Sequence, residues 1–389
     1  MNLGGCMDRT ARFLRLGCLL FAALLLAVSL SACSAPASLE EPEEVAPGDW
    51  PVKAWRSSAP EAQGVDSAVL GDMLKSVKQG GYDIHSVMLI RNGYLVADAF
   101  DAPGGKNARQ EVYSCTKSVT SALLGIAMEE GSIKGLDATL GEILGEQIKS
   151  GDRAGITVRE LATMSAGFPG LETLRSYEIP EKQDALKFIL DLPAGEKGKF
   201  VYNNACPHLV STLIQKATGK KALDYAREKL FVRLGIDCNE WMADRAGVNV
   251  GGSGLKLTPF EMSKLGYLYL KNGEWDGAQL VPQKWVEEST AKQIDTAGIN
   301  DPENHGYGYF WWRNAFGGYS AHGAGGQYIF VVPELDLVAV FTSTLGDADF
   351  PVPYRLMEQY VVPACKSKGP LPQNPDAAKK LEEAIKTFA

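Results

Sequence analysis

Apolar and polar positions follow each other in patterns that predict the first elements of the chain. Apolar residues recur at helical spacing over Val65–Val77, which predicts a helix. Two apolar segments flank the turn dipeptide Asn92-Gly93, so a β-hairpin is expected over Ser86–Phe100. A longer apolar stretch predicts a buried helix over Ser114–Glu130, which ends before a glycine.

Further along, short helical patterns alternate with loops from about residue 135 to about residue 290, and strands then return. Two strands are expected over Tyr328–Val332 and Leu337–Thr342, and two final helices over Val352–Tyr360 and Ala377–Phe388. Strands near both ends and a helical middle predict an α/β (α+β) fold. In that fold, one sheet is built from both termini of the domain and a helical region is inserted between them.

Composition places the chain among folded globular proteins. It has 389 residues, of which 45% are hydrophobic and 22% charged. The net charge is −8 and no basic run occurs, which argues against a nucleic-acid partner. No cysteine and histidine spacing suits zinc, and no glycine-rich loop suits a phosphate, so neither a metal nor a cofactor is predicted. Four scattered cysteines leave a disulfide possible but unassigned: Cys115, Cys206, Cys238 and Cys365.

The N-terminus differs sharply from the rest of the chain. Three arginines precede an apolar run over Leu16–Leu30, and small residues then lead to Cys33. This segment resembles a bacterial lipoprotein signal, which implies removal of residues 1–32 and acylation of Cys33. The alternative is a permanent N-terminal anchor with an incidental cysteine. We therefore expect an exported protein that is lipid-anchored to a bacterial membrane, with a flexible tether over residues 33–49 and one domain over residues 50–389.

Ser114 and Lys117 form the first motif with chemical content. Residues three apart share one face of a helix, so the lysine would stand beside the serine hydroxyl. A serine becomes nucleophilic when a neighbour takes its proton, and a buried lysine can do so in its neutral form. The backbone N–H of Ser114 at a helix start could also bind an oxyanion. Taken alone, this pattern is more often a helix start capped by a serine.

Two further segments could complete a site. Tyr202 and Asn204 could bring a phenol, for proton relay, and an amide, for binding a substrate carbonyl or Lys117, to the same cleft. The segment from His322 to Gly325 enters a strand and could supply a second oxyanion N–H near Gly325. The alternatives are an ordinary polar turn before a helix and a glycine-rich turn that merely starts a strand.

Together, the three motifs in this order resemble the β-lactamase-related, penicillin-recognising serine hydrolases. The resemblance runs from about Trp55 to about Leu345. Within that superfamily the chain is most similar to the 6-aminohexanoate-dimer hydrolase-like and esterase-like branch. It implies a class C β-lactamase-like fold, and it implies that Ser114 is the nucleophile, Lys117 the base and Tyr202 the proton relay. Segments that carry the resemblance include Tyr113–Ser118, Leu161–Gly167, Leu234–Ile236 and Gly326–Tyr328.

The chain departs from many relatives at the third motif, because no Lys-Thr-Gly occurs there and His322-Gly323-Ala324 stands as its substitute. Without that lysine, a cation that would bind a substrate carboxylate is lost. The sequence therefore favours hydrolysis of a small neutral amide or ester. A β-lactamase or D-Ala-D-Ala peptidase, and a non-catalytic binding lipoprotein on the same scaffold, stay as alternatives. The oligomeric state is not predicted.

Overall fold

The computed structural model describes residues 1, 50–101, 105–148, 151–296 and 304–388. The predicted signal segment, Cys33 and the tether lie outside the described residues, apart from Met1. In the part of the chain that the structure describes, no helix is long and apolar enough to cross a membrane. The same residues contain no cluster of side chains that could hold a metal ion.

A seven-stranded antiparallel sheet forms the centre of the fold. Its strands are β1 Ile84–Arg91, β2 Tyr94–Phe100, β7 Asn304–Tyr307, β8 Trp312–Asn314, β9 Tyr319–Gly323, β10 Gln327–Val332 and β11 Leu337–Ser343. They lie in the order β2-β1-β11-β10-β9-β8-β7. The N-terminal hairpin is therefore directly beside the last strand, because β1 pairs with β11 along its length. This arrangement confirms the predicted sheet built from both ends of the domain.

Two small two-stranded sheets lie outside the central one, and each joins short segments of the middle region. The first links the chain just before Ser114 to a segment far downstream, so it helps to fix the start of the helix that follows Ser114. The second is a tight hairpin. Their strands are β3 Gln110–Glu111 with β4 Lys256–Leu257, and β5 Glu274–Trp275 with β6 Ala278–Gln279.

Helices cover both faces of the central sheet. Those in the described residues are α1 Ser67–Gly80, α2 Thr116–Glu129, α3 Leu140–Leu144, α4 Val158–Ala162, α5 Ala185–Leu190, α6 Ala205–Thr218, α7 Ala222–Ala226, α8 Val232–Leu234, α9 Pro259–Leu270, α10 Gln283–Thr290, α11 Val352–Leu356, α12 Val362–Ala364 and α13 Pro375–Lys386. Short π-helical segments, Arg227–Phe231 and Met357–Val361, join α7 to α8 and α11 to α12.

Successive side chains of a strand point to opposite faces of the sheet, so the apolar interior forms two clusters, one on each face. On one face, Val87 and Leu89 of β1 pack with the apolar sides of α1 and α13. On the other face, Met88 and Ile90 belong to a larger cluster that includes α2, α6 and α9. Because α2 is buried over nearly its whole length, it is the helix that carries residues from the core into the site.

Local signals placed most elements within a few residues. The hairpin turn has positive φ at both Asn92 and Gly93, 52° and 78°, as the two-residue turn requires. Helix α1 begins after Asp66, whose carboxylate accepts the N–H of Ala68 at 3.0 Å. The sequence left a disulfide possible, but the four cysteines of the described residues are all free thiols.

Candidate active site

Ser114 lies in a short 3-10 turn, Tyr113–Cys115, that leads directly into α2. Just before it, the N–H of Val112 donates to the Leu255 carbonyl at 2.9 Å, which fixes the chain on one side. Tyr113 has φ 44°, a left-handed conformation that is costly for an aromatic residue and persists only where the surroundings enforce it. This kink leaves Ser114 partly exposed to solvent while the next residue enters the core.

The Lys117 ammonium group is buried and bound to three oxygens. Its Nζ donates to Ser114 Oγ at 2.9 Å, to Asn204 Oδ1 at 3.0 Å and to the Gly252 carbonyl at 3.0 Å. The lysine is only 1% exposed. All three acceptors are neutral, so no carboxylate compensates the buried charge. Burial accordingly lowers the pKa of Lys117 from 10.5 to about 7, which leaves a large neutral fraction at neutral pH.

Two consecutive asparagines at the start of α6 bind different groups. Asn203 Oδ1 accepts the N–H of Cys206 at 2.8 Å and so caps the first turn of the helix. Asn204 is thereby left for the site, where its Oδ1 accepts from Lys117 and its Nδ2 donates to the Leu174 carbonyl at 3.1 Å. That second bond fixes which end of the amide faces the lysine.

Tyr202 lies beside this pair, with its ring 4.9 Å from Lys117 Nζ. Aromatic neighbours surround it, since the centroids of Trp312 and Tyr307 lie 5.2 and 6.2 Å from its own. Burial raises the pKa of the Tyr202 phenol, and the Ser114 side chain nearby partly opposes that rise. At neutral pH, Tyr202 is therefore a protonated phenol next to the serine hydroxyl.

The Gly251–Gly254 loop supplies the third oxygen around Lys117, and sequence reasoning did not assign it this part. Its Gly251 carbonyl accepts from Thr120 Oγ1 at 2.9 Å, one helical turn beyond the lysine. A Cβ on Gly252 would lie 3.3 Å from Lys117 Nζ and 3.0 Å from Asn204 Oδ1, so a side chain there would crowd both groups. The only sequence signal was the pair of adjacent glycines, because a backbone carbonyl carries no mark of its own.

His322 lies on β9, where the residue is 7% exposed and its ring stacks on Trp312 at a centroid distance of 5.4 Å. Its Nε2 is 2.7 Å from Ser320 Oγ, which in turn donates to Asn314. Burial lowers the pKa of His322 to about 3, so the imidazole is neutral at physiological pH. Trp312 lies between the His322 ring and Tyr202, since it packs on both. A role of His322 in substrate binding stays a prediction.

Gly325 lies in the turn that joins β9 to β10, with φ +75°, a conformation suited to glycine. The turn adjoins the residues on both sides of Ser114. Gly323 leaves no room for a Cβ beside the Val112 carbonyl, and Cys115 Sγ lies 3.4 Å from the Gln327 carbonyl. The role of Gly325 in binding the oxyanion also stays a prediction.

The fold and the arrangement around Ser114 define the class of protein, a serine hydrolase of the β-lactamase fold. The β-lactamase family model, described as "Beta-lactamase", matches residues 75–361. Because this match covers most of the chain, the protein belongs to that family.

Known relatives agree with this assignment. The 6-aminohexanoate-dimer hydrolase of Paenarthrobacter ureafaciens is 22% identical over 288 residues, which cover 67% of this chain and 73% of the relative. A Bacillus anthracis structure assigned provisionally as a 6-aminohexanoate-dimer hydrolase has a TM-score of 0.64 at 19% identity, with 83% of this chain and 88% of that chain covered. D-amino acid amidase from Ochrobactrum anthropi SV3 has a TM-score of 0.60 at 18% identity, covering 76% and 99% of the two chains. At these identities, the structural likenesses establish the fold.

Proposed function

We propose that the protein hydrolyses a small neutral amide or ester through an acyl-enzyme on Ser114. The observation that carries this proposal is the contact of 2.9 Å between Lys117 Nζ and Ser114 Oγ, made by a lysine whose pKa is lowered to about 7. Hydrolase activity itself is supported by the family.

The stereochemistry around the amine supports a base. A neutral amine has two N–H bonds and one lone pair. The carbonyls of Asn204 and Gly252 can only accept, so they hold the two N–H bonds of the neutral form. The lone pair is then left for the Ser114 hydroxyl, which is where a general base needs it.

In the acylation step, Ser114 Oγ attacks the substrate carbonyl while its proton passes to Lys117. The oxyanion that forms would be bound by the backbone N–H groups of Ser114 and of a residue near Gly325. Tyr202, a protonated phenol, would protonate the leaving amine or alcohol. A water molecule would then attack the ester carbonyl of the acyl-enzyme and give its proton to the Tyr202 phenolate. The Lys117 ammonium would return its proton to Ser114 Oγ as the acid leaves, which restores all three groups.

A neutral substrate fits the charges beside the serine. Among the described residues, the cationic side chain found in contact with Ser114 is Lys117, which is buried and also bound to two backbone or amide oxygens of the protein. His322 is neutral and stacked among aromatic rings, so it offers no charge to a carboxylate. Short uncharged esters and amides are therefore better candidates than a β-lactam or a D-Ala-D-Ala peptide, both of which carry a carboxylate.

The test uses a fluorophosphonate probe and a hydrolysis panel of short-chain esters, ω-amino amides and a cephalosporin. We expect labelling and hydrolysis by the wild type, and the loss of both in Ser114→Ala. Ser253→Ala is a matched control, since this buried serine lies in the loop next to Lys117. Undiminished labelling of Ser114→Ala would remove the nucleophile assignment, and cephalosporin turnover alone would favour the β-lactamase alternative.

A further inference from the structure

The turn between β9 and β10 has its carbonyl groups bound on the protein side. The Gly323 carbonyl accepts the N–H of Gly326 at 3.2 Å. The Gly325 carbonyl accepts from the N–H of Leu345 at 2.9 Å and from Ser343 Oγ at 2.7 Å. The turn residues Ala324, Gly325 and Gly326 have no polar side chain that could anchor them. The orientation of the turn therefore depends on the groups that donate hydrogen bonds to its carbonyls.

Gln327 provides the donor for the remaining carbonyl. Its Nε2 donates to the Ala324 carbonyl at 3.2 Å and to the Ser343 carbonyl at 2.6 Å. Its Oε1 accepts from Gln110 Nε2 at 2.6 Å and from the N–H of Ser343 at 3.3 Å. With all four bonding positions of the amide used and the residue 1% exposed, the side chain has one defined orientation.

The bond to Ala324 determines the direction of one particular N–H. In a trans peptide, the carbonyl of one residue and the N–H of the next point in opposite directions. Because the Ala324 carbonyl accepts from the Gln327 amide, the Gly325 N–H points away from that amide. Among the described residues, no hydrogen bond is found for that N–H, whereas the neighbouring Gly326 N–H is used inside the turn.

We propose that Gln327 is a positioning residue that holds the Gly325 N–H as the second oxyanion donor opposite Ser114. The two residues that flank the turn lie beside neighbours of the serine, since a Cβ on Gly323 would meet the Val112 carbonyl and the Gln327 carbonyl lies 3.4 Å from Cys115 Sγ. The inference rests on the proposed acyl-transfer function. It adds that the strength of oxyanion binding is determined by a buried amide that never touches the substrate.

The experiment compares Gln327→Glu and Gln327→Ala with the wild type on a short-chain 4-nitrophenyl ester and its thionoester. In the thionoester, sulphur replaces the carbonyl oxygen and accepts hydrogen bonds poorly. Gln327→Glu keeps the size and the acceptor but loses the donor to Ala324. We expect kcat on the ester to fall about 10- to 100-fold with KM nearly unchanged. A misdirected oxyanion donor weakens the binding of the transition state and leaves the binding of the substrate nearly the same. The thionoester rate should fall far less.

Gln279→Glu is the matched control, since Gln279 Nε2 also donates to two backbone carbonyls, those of Asn272 and Val281, in a hairpin away from Ser114. Thermal unfolding followed by circular dichroism verifies that each variant is folded. If Gln327→Ala does not fold, the kinetics of Gln327→Glu alone test the inference. Equal losses on ester and thionoester, or a loss no larger than that of the control, would overturn the inference. A wild type that the phosphonate does not label would instead overturn the proposed function.

Discussion

Lysine suits the position beside Ser114 because its charge is easier to remove than that of arginine. A guanidinium stays protonated in proteins, whereas a buried ammonium with neutral partners loses its proton near neutrality. Here the partners are two carbonyl oxygens and a hydroxyl. The same set of neutral acceptors that makes burial of Lys117 costly therefore makes it usable as a base.

The first prediction concerns the pH dependence of the reaction. Because the neutral form of Lys117 is the active one, kcat/KM for an ester should rise with pH and reach a plateau, with a midpoint near the pKa of about 7. Initial rates measured at low substrate from about pH 5 to about pH 9 test this. A rate that falls as pH rises through the midpoint would mean that the charged lysine is the active form.

A second prediction at this scale changes the charge next to the amine. Asn204→Asp puts a carboxylate at the position that now accepts from Lys117 at 3.0 Å. An opposite charge at this distance raises the pKa of a lysine by about 1–3 units, so the rising limb of the pH profile should move upward by that amount. Asn204→Ala serves as the control, since it removes the bond without adding charge. An unmoved profile in Asn204→Asp would show that another group controls the reaction.

At the scale of the element, the start of α6 links helix stability to the site. The Asn203 side chain caps the first turn, and its Nδ2 also donates to the Val201 carbonyl at 2.7 Å next to Tyr202. A helix start that frays would therefore displace the residues on both sides of Asn203, Tyr202 and Asn204. One residue thus holds two candidate site residues without touching the substrate.

The third prediction follows from that cap. Asn203→Ala should lower the free energy of unfolding by about 1–2 kcal/mol, as the loss of a helix cap does, and should also lower kcat. Urea denaturation and steady-state kinetics measure the two effects. Thr139→Ala removes a comparable cap from α3, where Thr139 Oγ1 accepts the N–H of Glu142 at 3.2 Å, and should cost stability with little change in kcat. Equal kinetic losses in both variants would refute a specific link to the site.

The elements show which parts of the fold were predictable from sequence. The hairpin turn at Asn92 and the helices were signalled by residues next to each other in the chain. Lys117 beside Ser114 also followed from helical spacing. By contrast, the Gly252 carbonyl meets Lys117 across 135 positions and has no side chain to signal it. Which face of the sheet His322 occupies depends on the register of β9 with its neighbours, which pattern alone did not determine.

At the scale of the whole molecule, the site draws on widely separated parts of one chain. Helix α2 carries Lys117, and the turn before it, the start of α6 and the Gly251–Gly254 loop each contribute one oxygen that binds the lysine. Gln327, the first residue of β10, contacts Cys115 next to Ser114. All of these groups lie downstream of Trp50. Catalysis should therefore depend on the domain over residues 50–389, and export and anchoring on the residues before it.

The last prediction separates these two parts. If Cys33 is acylated, the protein expressed in a bacterial host with its own N-terminus should sediment with membranes and incorporate radiolabelled palmitate, because a diacylated cysteine binds a bilayer stably. Cys33→Ser should incorporate no label. A protein that begins at residue 34 should be soluble and should keep the ester kcat/KM of the anchored form, because the groups described around Ser114 all follow Trp50 in the chain. Palmitate in Cys33→Ser would place the lipid elsewhere, and membrane association of that variant without palmitate would favour a permanent N-terminal anchor.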